Sequence, residues 1–504
     1  MSKSHCTTTI QVAHTDIACN AASALSSSYL TGGPQAKVLT MKKHAKCHNF
    51  ALGPHCHSMQ GGSADFGRQM SWKIGRQGDY LVNSWLRVEI DEVKSNLALN
   101  SGEFLRWTHN LGHNLIENLE LGFSGVPGAT FDDFFLDFFS AFSVPAGKRN
   151  AYDNMIGNIP ELVNPVYDTT ATAAQLLPKA VLNIPLPLPY VRDVGVALPT
   201  GALVYNEVIL QVCFRDWDEL LVVSNGKNST VNGNTANSSR AATSSDVNGV
   251  PKINSAQLWG NYVVVTSDER KRMGKTPRDC VWQIVQTSSD TAVTSGTVSS
   301  YLRYSHAVSA IFFAVRNTTV SSERSNYTTR GALTYTKSNL SVTEFPAPNA
   351  FDPIDNVSLK YEGADRLHEM PVDYFSLIQP YYHGVTIPSI TGYHVFSYSH
   401  NFVMNESLGS VDYGKLTNVS LEINLSEDAI KALAGQSYTP FTNEAGALSN
   451  FPPGYKTMIT TTAGVDKIDA NAFSNVPQKF EFKNCCLAHT VVRTVGGGLG
   501  FPIF

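Results

Sequence analysis

Apolar and polar side chains alternate along this chain with a period of two residues, most clearly between Asp79 and Ile90. One set of positions there carries Tyr80, Val82, Ser84, Leu86, Val88 and Ile90, and the other set includes Asp79, Asn83, Arg87 and Glu89. Leu81 and Trp85 are the two exceptions to the alternation. Because successive side chains of a β-strand point to opposite faces, the pattern predicts a half-buried strand.

The same alternation recurs along the rest of the chain. It predicts a second strand over 114–123, a third over 204–214, and further strands around Val263, Ile311, Leu359, Val395, Val419 and Val491. Turn sequences such as Gly-Pro, Asn-Gly and Pro-Thr-Gly separate these segments. Many short strands with few helices predict an all-β protein built as a sandwich, a barrel or a jelly roll.

Short helices are expected in the connections between strands. The first is predicted over 131–143, with Thr130 as its cap, acidic residues in its first turn, and one face formed by Phe131, Phe134, Phe135, Phe138 and Phe142. This aromatic stripe indicates core packing rather than a cofactor site. A second helix is predicted over 426–434, capped by Ser426.

Two halves of the chain show the same order of features. Leu136-Asp-Phe-Phe-Ser140 and Val372-Asp-Tyr-Phe-Ser376 lie 236 residues apart, and each follows a predicted strand. Between the halves, 224–251 is rich in Asn, Ser, Thr and Gly, which is typical of an exposed linker. The simplest interpretation is one β-fold that occurs twice.

The predicted division of the chain has four parts. Residues 1–60 form an N-terminal arm with little alternation, which is not needed for the core, so that a chain lacking it still folds. Residues 61–223 form the first β-domain, 224–254 a polar linker, and 255–504 the second β-domain.

Charge and targeting signals exclude some classes of function. Charged residues make up 16% of the chain and the net charge is −4, so strong electrostatic binding of nucleic acid is disfavoured. No apolar run is long enough for a membrane-spanning helix, and the N-terminus lacks a signal peptide, which favours synthesis in the cytosol. The eight cysteines are irregularly spaced and do not predict a disulfide framework.

Candidate catalytic motifs are weak throughout the chain. His109 and His113 have the spacing of a zinc protease, but Asn110 stands in place of the required glutamate and the segment leads into a predicted strand. The glycine-rich run 495–501 lacks the Lys-Ser/Thr pair of a phosphate loop, and we expect a flexible terminus there. We therefore expect a protein without catalytic residues and without a cofactor, that is, not an enzyme.

A His- and Cys-rich cluster in the N-terminal segment leaves one alternative open. Thiolates and imidazoles are the preferred ligands of zinc, and the four candidate ligands are His44, Cys47, His55 and Cys56. The two cysteines lack the close Cys-x2–4-Cys spacing of a zinc hairpin. The favoured interpretation is a polar arm with free thiols and no bound metal.

Several segments together resemble a known family. They are Ala64–Gly67, Gly78–Asn83, Trp85–Val88, Arg106–Trp107, His113–Leu115, Phe135–Phe138, Asn154–Gly157, Leu182–Pro185, Arg192–Asp193, Ala197–Thr200, Tyr205–Val208, Arg366–His368, Val372–Phe375, Tyr413–Gly414, Asn418–Leu421 and Gly500–Ile503. These segments and their order resemble those of the major capsid proteins of large nucleocytoplasmic DNA viruses, most of all those of the iridovirus type. The resemblance spans residues 64–504 and excludes the N-terminal cluster.

The resemblance implies a fold and an assembly. The fold is a double jelly roll of two consecutive eight-stranded sandwiches, and three copies form a pseudo-hexagonal capsomer in an icosahedral virion shell made in the host cytoplasm. The implied partners are further copies of the chain, penton and minor capsid proteins, and an inner viral membrane reached through minor proteins, with no direct contact to nucleic acid. The sequence does not indicate which residues form the trimer interface.

A different class of function also fits a β-sandwich with aromatic-rich loops. The chain could be a carbohydrate-binding module, which requires solvent-facing aromatic side chains beside Asp and Asn. It could also be a carbohydrate-active enzyme, which requires a deep cleft with two carboxylates.

Overall fold

Two β-sandwiches of the same topology follow one another along the chain. The computed structural model describes residues 50–98, 103–163, 165, 174–225, 239–329, 352–434 and 477–500. Within these residues no helix is both long enough and apolar enough to cross a membrane.

The strands of the first half extend from Phe50 to Val265. They are β1 (Phe50–Cys56), β2 (Met59–Gln60), β3 (Gln69–Ile74), β4 (Tyr80–Ile90), β5 (Val93–Lys94), β6 (Glu103–Trp107), β7 (Ile116–Phe123), β8 (Val126–Asp132), β9 (Leu176–Leu177), β10 (Ala180–Pro185), β11 (Val208–Phe214), β12 (Leu221–Asn225), β13 (Arg240–Ala241) and β14 (Ile253–Val265). The two main sheets have the strand orders β1-β14-β4-β10 and β2-β3-β11-β7-β8.

The strands of the second half extend from Arg278 to Gly500. They are β15 (Arg278–Thr287), β16 (Thr291–Val293), β17 (Thr297–Tyr301), β18 (Ala307–Asn317), β19 (Ile354–Tyr361), β20 (Ala364–Pro371), β21 (His394–Ser397), β22 (Val411–Asp412), β23 (Val419–Leu425), β24 (Phe480–Val495) and β25 (Gly498–Gly500). The main sheets here have the orders β15-β24-β18-β21 and β17-β23-β19-β20.

Both halves have the strand order of a jelly roll. When the eight main strands of each half are numbered along the chain, one sheet contains the first, eighth, third and sixth, and the other contains the second, seventh, fourth and fifth. This identity confirms the predicted double jelly roll and the prediction of one β-fold that occurs twice. We call the two units the first and the second sandwich.

The alternating segment between Asp79 and Ile90 corresponds to β4. Ser84, Leu86, Val88 and Ile90 are buried, and the residues between them are half-buried or exposed. Trp85 therefore belongs to the polar outer face of the strand, which explains why it interrupts the apolar pattern.

The structure places the domain boundaries differently from the sequence. Residues 50–56, which we assigned to the N-terminal arm, form β1 and pair antiparallel with β14. Residues 255–265, which we assigned to the second domain, belong to β14 and pair with β4 in the first sandwich. Both differences have one cause, because the first and last strands of a jelly roll are neighbours in space although about 200 residues separate them in sequence.

The helices lie between strands, as predicted. They are α1 (Leu111–Leu115), α2 (Asp133–Ser143), α3 (Arg149–Ile156), α4 (Pro160–Val163), α5 (Ser267–Lys275), α6 (Gln379–His383) and α7 (Glu427–Leu433), and a single π-helical turn (Tyr374–Ile378) precedes α6.

The predicted N-terminal cap is confirmed for one of these helices and is wrong for another. The Ser426 cap of α7 is confirmed, because its hydroxyl accepts a hydrogen bond from the Ala429 amide at 3.4 Å. The predicted Thr130 cap of α2 is wrong: Asp132 caps that helix by accepting from the Phe135 amide at 2.9 Å, and Phe131 still belongs to β8.

The glycine-rich segment near the C-terminus also differs from the prediction. We expected a flexible terminus, but β24 turns at Gly496 and Gly497 and pairs with β25. Both glycines have positive φ values, 60° and 90°, a conformation that glycine adopts without steric cost.

The position of β1 predicts the effect of two N-terminal deletions. Removal of residues 1–49 leaves β1 in place, and we expect the urea unfolding midpoint to stay close to that of the full chain. Removal of residues 1–60 deletes β1 and the two-residue β2, and it leaves the backbone of β14 as an open edge, which favours aggregation. We expect a lower midpoint and increased light scattering for the longer deletion, and equal midpoints for the two chains would contradict this role of β1.

Candidate functional site

Helix α2 connects the two sandwiches through its aromatic side chains. It begins directly after β8 of the first sandwich, and all of its residues up to Phe142 are buried. The rings of Phe135, Phe138 and Phe142 lie 6.4, 6.3 and 5.7 Å from the ring of Phe312 on β18 of the second sandwich. The predicted aromatic stripe is therefore core packing, and the core that it forms belongs to both sandwiches.

Strand β18 is buried on both faces as a consequence. Ala310, Phe312 and Ala314 pack in the same apolar cluster as α2, whereas Ile311, Phe313 and Val315 pack in the core of the second sandwich. This arrangement explains why 307–315 reads as an almost continuous apolar run rather than an alternating one. The outer face of this sheet is thus an internal interface of the chain.

A buried ion pair reinforces the same junction. After β18 the chain returns to the first sandwich, where the fully buried Glu323 pairs with the Arg106 guanidinium of β6. Glu323 also accepts a hydrogen bond from Nδ1 of His109 at 2.8 Å. Burial alone would raise the pKa of the Glu323 carboxyl, but Arg106 and His109 outweigh it and lower this pKa to about 2. Glu323 is therefore a carboxylate at neutral pH.

A second charged cluster lies at the start of α2. The buried Asp133 carboxylate is 3.0 Å from Arg316, 3.3 Å from Arg324 and 3.6 Å from Arg215. Burial opposes its ionisation, but the three guanidinium groups hold the pKa of Asp133 well below its usual range. Arg215 follows β11 of the first sandwich and Arg316 lies on β18 of the second, so this one carboxylate bridges them.

A third polar cluster surrounds Asp137, one helical turn further along α2. His113 donates from Nδ1 to Asp137 at 2.6 Å, and its Nε2 accepts from the Tyr152 hydroxyl at 2.7 Å. The hydroxyl of Ser325 also donates to Asp137. A catalytic triad requires the serine to bond to the imidazole, whereas here serine and histidine bond separately to the carboxylate. The residue types of a hydrolase are present, but in an arrangement that serves packing.

The two histidines with protease-like spacing have separate partners. His109 bonds to Glu323 and His113 to Asp137, which supports their assignment as structural residues. The predicted strand over 114–123 begins only at Ile116. It is preceded by the single turn α1, which starts after Asn110 in a left-handed conformation (φ 50°).

Two of the four candidate zinc ligands lie in the described part of the chain. His44 and Cys47 lie outside it, and His55 and Cys56 are adjacent on β1, so their side chains point to opposite faces. Burial, together with the neighbouring His55, lowers the pKa of His57 to about 4, which leaves this ring neutral. Within the described residues, no group of three or more His, Cys, Asp and Glu side chains could hold a metal ion. The zinc alternative stays a prediction.

A cleft of about 640 Å³ lies at one end of the second sandwich. Its lining includes Tyr301, Arg303, Tyr413 and Asn418, which are residue types found in carbohydrate sites. Glu362 supplies the single carboxylate among the described residues that line the cleft, and this carboxylate accepts a hydrogen bond from Thr417 at 2.8 Å. Glycoside hydrolysis uses two carboxylates that flank the scissile bond, and the described residues of this cleft supply one.

Two family descriptions match consecutive parts of the chain. Residues 39–266 match a family described as major capsid protein N-terminus, and residues 269–451 match large eukaryotic DNA virus major capsid protein. The junction between these two matches falls directly after β14, where the structure also ends the first sandwich.

Curated relatives are similar over a longer part of the chain. The chain is 39% identical over 480 residues to the major capsid protein of Costelytra zealandica iridescent virus, which covers 94% of this chain and 95% of the relative. It is 34% identical over 478 residues to that of Rana tigrina ranavirus, which covers 94% of each.

Solved structures share the fold at low sequence identity. A quasi-atomic model of the PBCV-1 virus capsid matches with a TM-score of 0.66 and 17% identity, and covers 93% of this chain and 100% of that one. The Faustovirus major capsid protein matches with a TM-score of 0.62 and 10% identity, and covers 91% and 92%.

The buried pair at Glu323 predicts a pH-dependent stability. Glu323→Gln leaves the Arg106 charge buried without its partner, and we expect a loss of about 3–5 kcal/mol in the free energy of unfolding at neutral pH. The folded-state pKa of Glu323 lies below its ordinary value of 4.5. The wild type should therefore exceed Glu323→Gln in free energy of unfolding by the full amount above pH 4.5, and this difference should be lost as the pH falls towards about 2.

Urea unfolding at several pH values measures this difference. The control is Glu427→Gln, which removes a carboxylate that is 81% exposed and pairs with Lys431 on the surface of α7. We expect little measurable change for the control. A difference between wild type and Glu323→Gln that stayed constant from neutral pH to pH 2 would contradict the assignment of Glu323 as the titrating group.

Proposed function

The chain belongs to the major capsid proteins of large eukaryotic DNA viruses, and on that premise we propose that three copies form a pseudo-hexagonal capsomer that tiles an icosahedral shell. The observation that carries this proposal is the identical strand order of the two sandwiches. Two similar lobes per chain give six similar lobes in a trimer, and a ring of six lobes has the outline of a hexagon. Blocks of that outline pack side by side in a plane.

The junction between the sandwiches supports the role of a rigid building block. A capsomer of fixed outline requires that the two lobes of each chain keep a constant relative orientation. The shared aromatic cluster around α2 and the buried carboxylates of Asp133 and Glu323 connect the two lobes. Separating the lobes would expose apolar side chains to water and take these carboxylates away from their cations.

Other proteins must complete the shell. Closing a hexagonal sheet requires different, five-fold units at the vertices, so penton proteins are proposed partners, together with minor capsid proteins between capsomers. Contact with an inner viral membrane is proposed to run through such minor proteins, with residues 1–49 as the segment that reaches them. The protein is a virion component, and we propose that assembly takes place in the host cytoplasm.

The proposed homotrimer predicts a mass in solution. With 54.9 kDa per chain, a trimer has a mass of about 165 kDa, which light scattering after size exclusion measures directly. Negative-stain images of the same peak should show hexagonal particles of trimer size. A single species of 54.9 kDa at micromolar concentration would count against a capsomer, because shell subunits associate through large interfaces.

We also predict that the capsomer does not bind duplex DNA strongly. The net charge is −4, and the helix with the densest run of cations, α5, carries Arg270, Lys271 and Arg272 but uses Arg270 in an ion pair with Asp79. Few phosphates can be neutralised at once by such a surface. Fluorescence anisotropy at low and moderate salt should show weak binding, and nanomolar affinity that falls steeply with salt would refute the prediction.

A further inference from the structure

The junction inside one chain shows how one sandwich packs on the next. The segment that connects the fifth and sixth strands of the first sandwich, 133–179, contains α2. This helix covers the outer face of the second sandwich's β15-β24-β18-β21 sheet, where Phe142 and Phe312 are fully buried and stack with 5.7 Å between their rings.

The second sandwich carries an equivalent connecting segment with exposed apolar side chains. Residues 372–393 join its fifth and sixth strands, and the 236-residue shift between the two related five-residue sequences places Ile378 at the position of Phe142. Ile378 is 45% exposed, and Tyr381 and Tyr382 on α6 are 69% and 66% exposed. The side chains that would form the next junction therefore face solvent.

The first sandwich carries the equivalent sheet face. In the β1-β14-β4-β10 sheet, Cys56, Trp259, Trp85 and Pro185 lie side by side in register across four strands, so their side chains point to one face. We call this outer surface the tryptophan face. The two indole rings stack with 6.2 Å between centroids and 12° between planes.

The tryptophan face is only partly covered within one chain. Trp85 and Trp259 are half-buried, and Val181 on β10, which points to the same face, is 48% exposed. By contrast, the equivalent face of the second sandwich is buried under α2. Large aromatic side chains without such a cover are typical of protein interfaces.

We propose that the 372–393 segment of one copy docks on the tryptophan face of a second copy, in the way that α2 docks on the second sandwich within one chain. The inference rests on the proposed trimer and names the surfaces that form it. Each copy offers one docking segment and one face, so the contact is heterologous and joins copies head to tail. In a ring of six similar lobes, three contacts inside chains then alternate with three contacts between chains.

The internal junction is the reason to choose a second copy as the occupant. The docking segment has the same place in the fold as α2, and the face has the same place as the sheet that α2 covers. The docking segment presents exposed tyrosines and aliphatic residues. On the tryptophan face the two tryptophans lie beside an ion pair between Arg87 and Glu89, whose opposite charges balance each other. Large aromatic side chains beside polar and charged ones are typical of an interface.

Two complementary variants test the proposal. Ile378→Asp combined with Tyr382→Asp disables the docking segment, and Trp85→Asp disables the face. We expect each variant alone to lose the trimer and to elute as a monomer of 54.9 kDa. When the two are mixed, the intact segment of one can dock on the intact face of the other, and the pair cannot grow further. Light scattering should then show a dimer of about 110 kDa.

Controls separate misfolding from loss of assembly. Tyr301→Asp removes a tyrosine that is 62% exposed on β17, away from both surfaces, and should keep the trimer. Circular dichroism spectra should match the wild type for all variants. Unfolding midpoints are compared among the monomeric variants, because loss of the trimer by itself lowers the midpoint. If Trp85→Asp unfolds, Val181→Asp disables the same face from a more exposed position.

The outcomes distinguish this inference from the proposed trimer. A wild-type protein that is monomeric contradicts the trimer itself. A trimeric wild type together with trimeric segment and face variants overturns the inference alone. Two monomeric variants that give no dimer on mixing also overturn it, because the two surfaces would then not be partners of each other.

Discussion

The structure depends on one burial event, the packing of α2 from the first sandwich against β18 of the second. A jelly roll normally buries only the inner faces of its two sheets, but β18 has aromatic and aliphatic side chains on both faces. Covering a single phenylalanine of this kind contributes about 1.5–3 kcal/mol. Without α2, the outer face around Phe312 would remain in water, and the two sandwiches would be separate domains joined by a linker.

The charged residues at the junction determine how the sandwiches are oriented more than how strongly they bind. Aromatic packing tolerates small shifts, whereas a buried carboxylate requires its cations at fixed positions. Asp133 binds Arg215 of the first sandwich and Arg316 of the second, so a rotation of either lobe would separate this buried carboxylate from one of its cations. A buried pair of this kind adds little net stability because desolvation offsets the attraction, but breaking it is costly.

Local sequence patterns predicted the strands and helices, but the contacts between the two sandwiches join residues that are far apart in sequence. Alternation indicated β4 because that signal lies within a few neighbouring residues, and two short related sequences indicated the repeated fold. Arg106 and its partner Glu323 are 217 residues apart, and the sequence near either residue does not indicate the other. A signal was present, however: Arg106 and Arg316 interrupt otherwise apolar strands, and Asp133 and Asp137 lie in an aromatic helix. Charges in such places need buried counterions.

The order in which strands pair has a consequence for synthesis on the ribosome. The first sandwich can close once β14 has emerged, near residue 265, because every main strand that it needs precedes that point. Its α2 then projects a row of phenylalanines whose covering sheet is incomplete until β24, which pairs with both β15 and β18, is translated. At about 5–20 residues per second, this interval lasts roughly 10–45 s. The helix that joins the two sandwiches in the finished molecule is therefore an exposed apolar surface while the nascent chain is still growing.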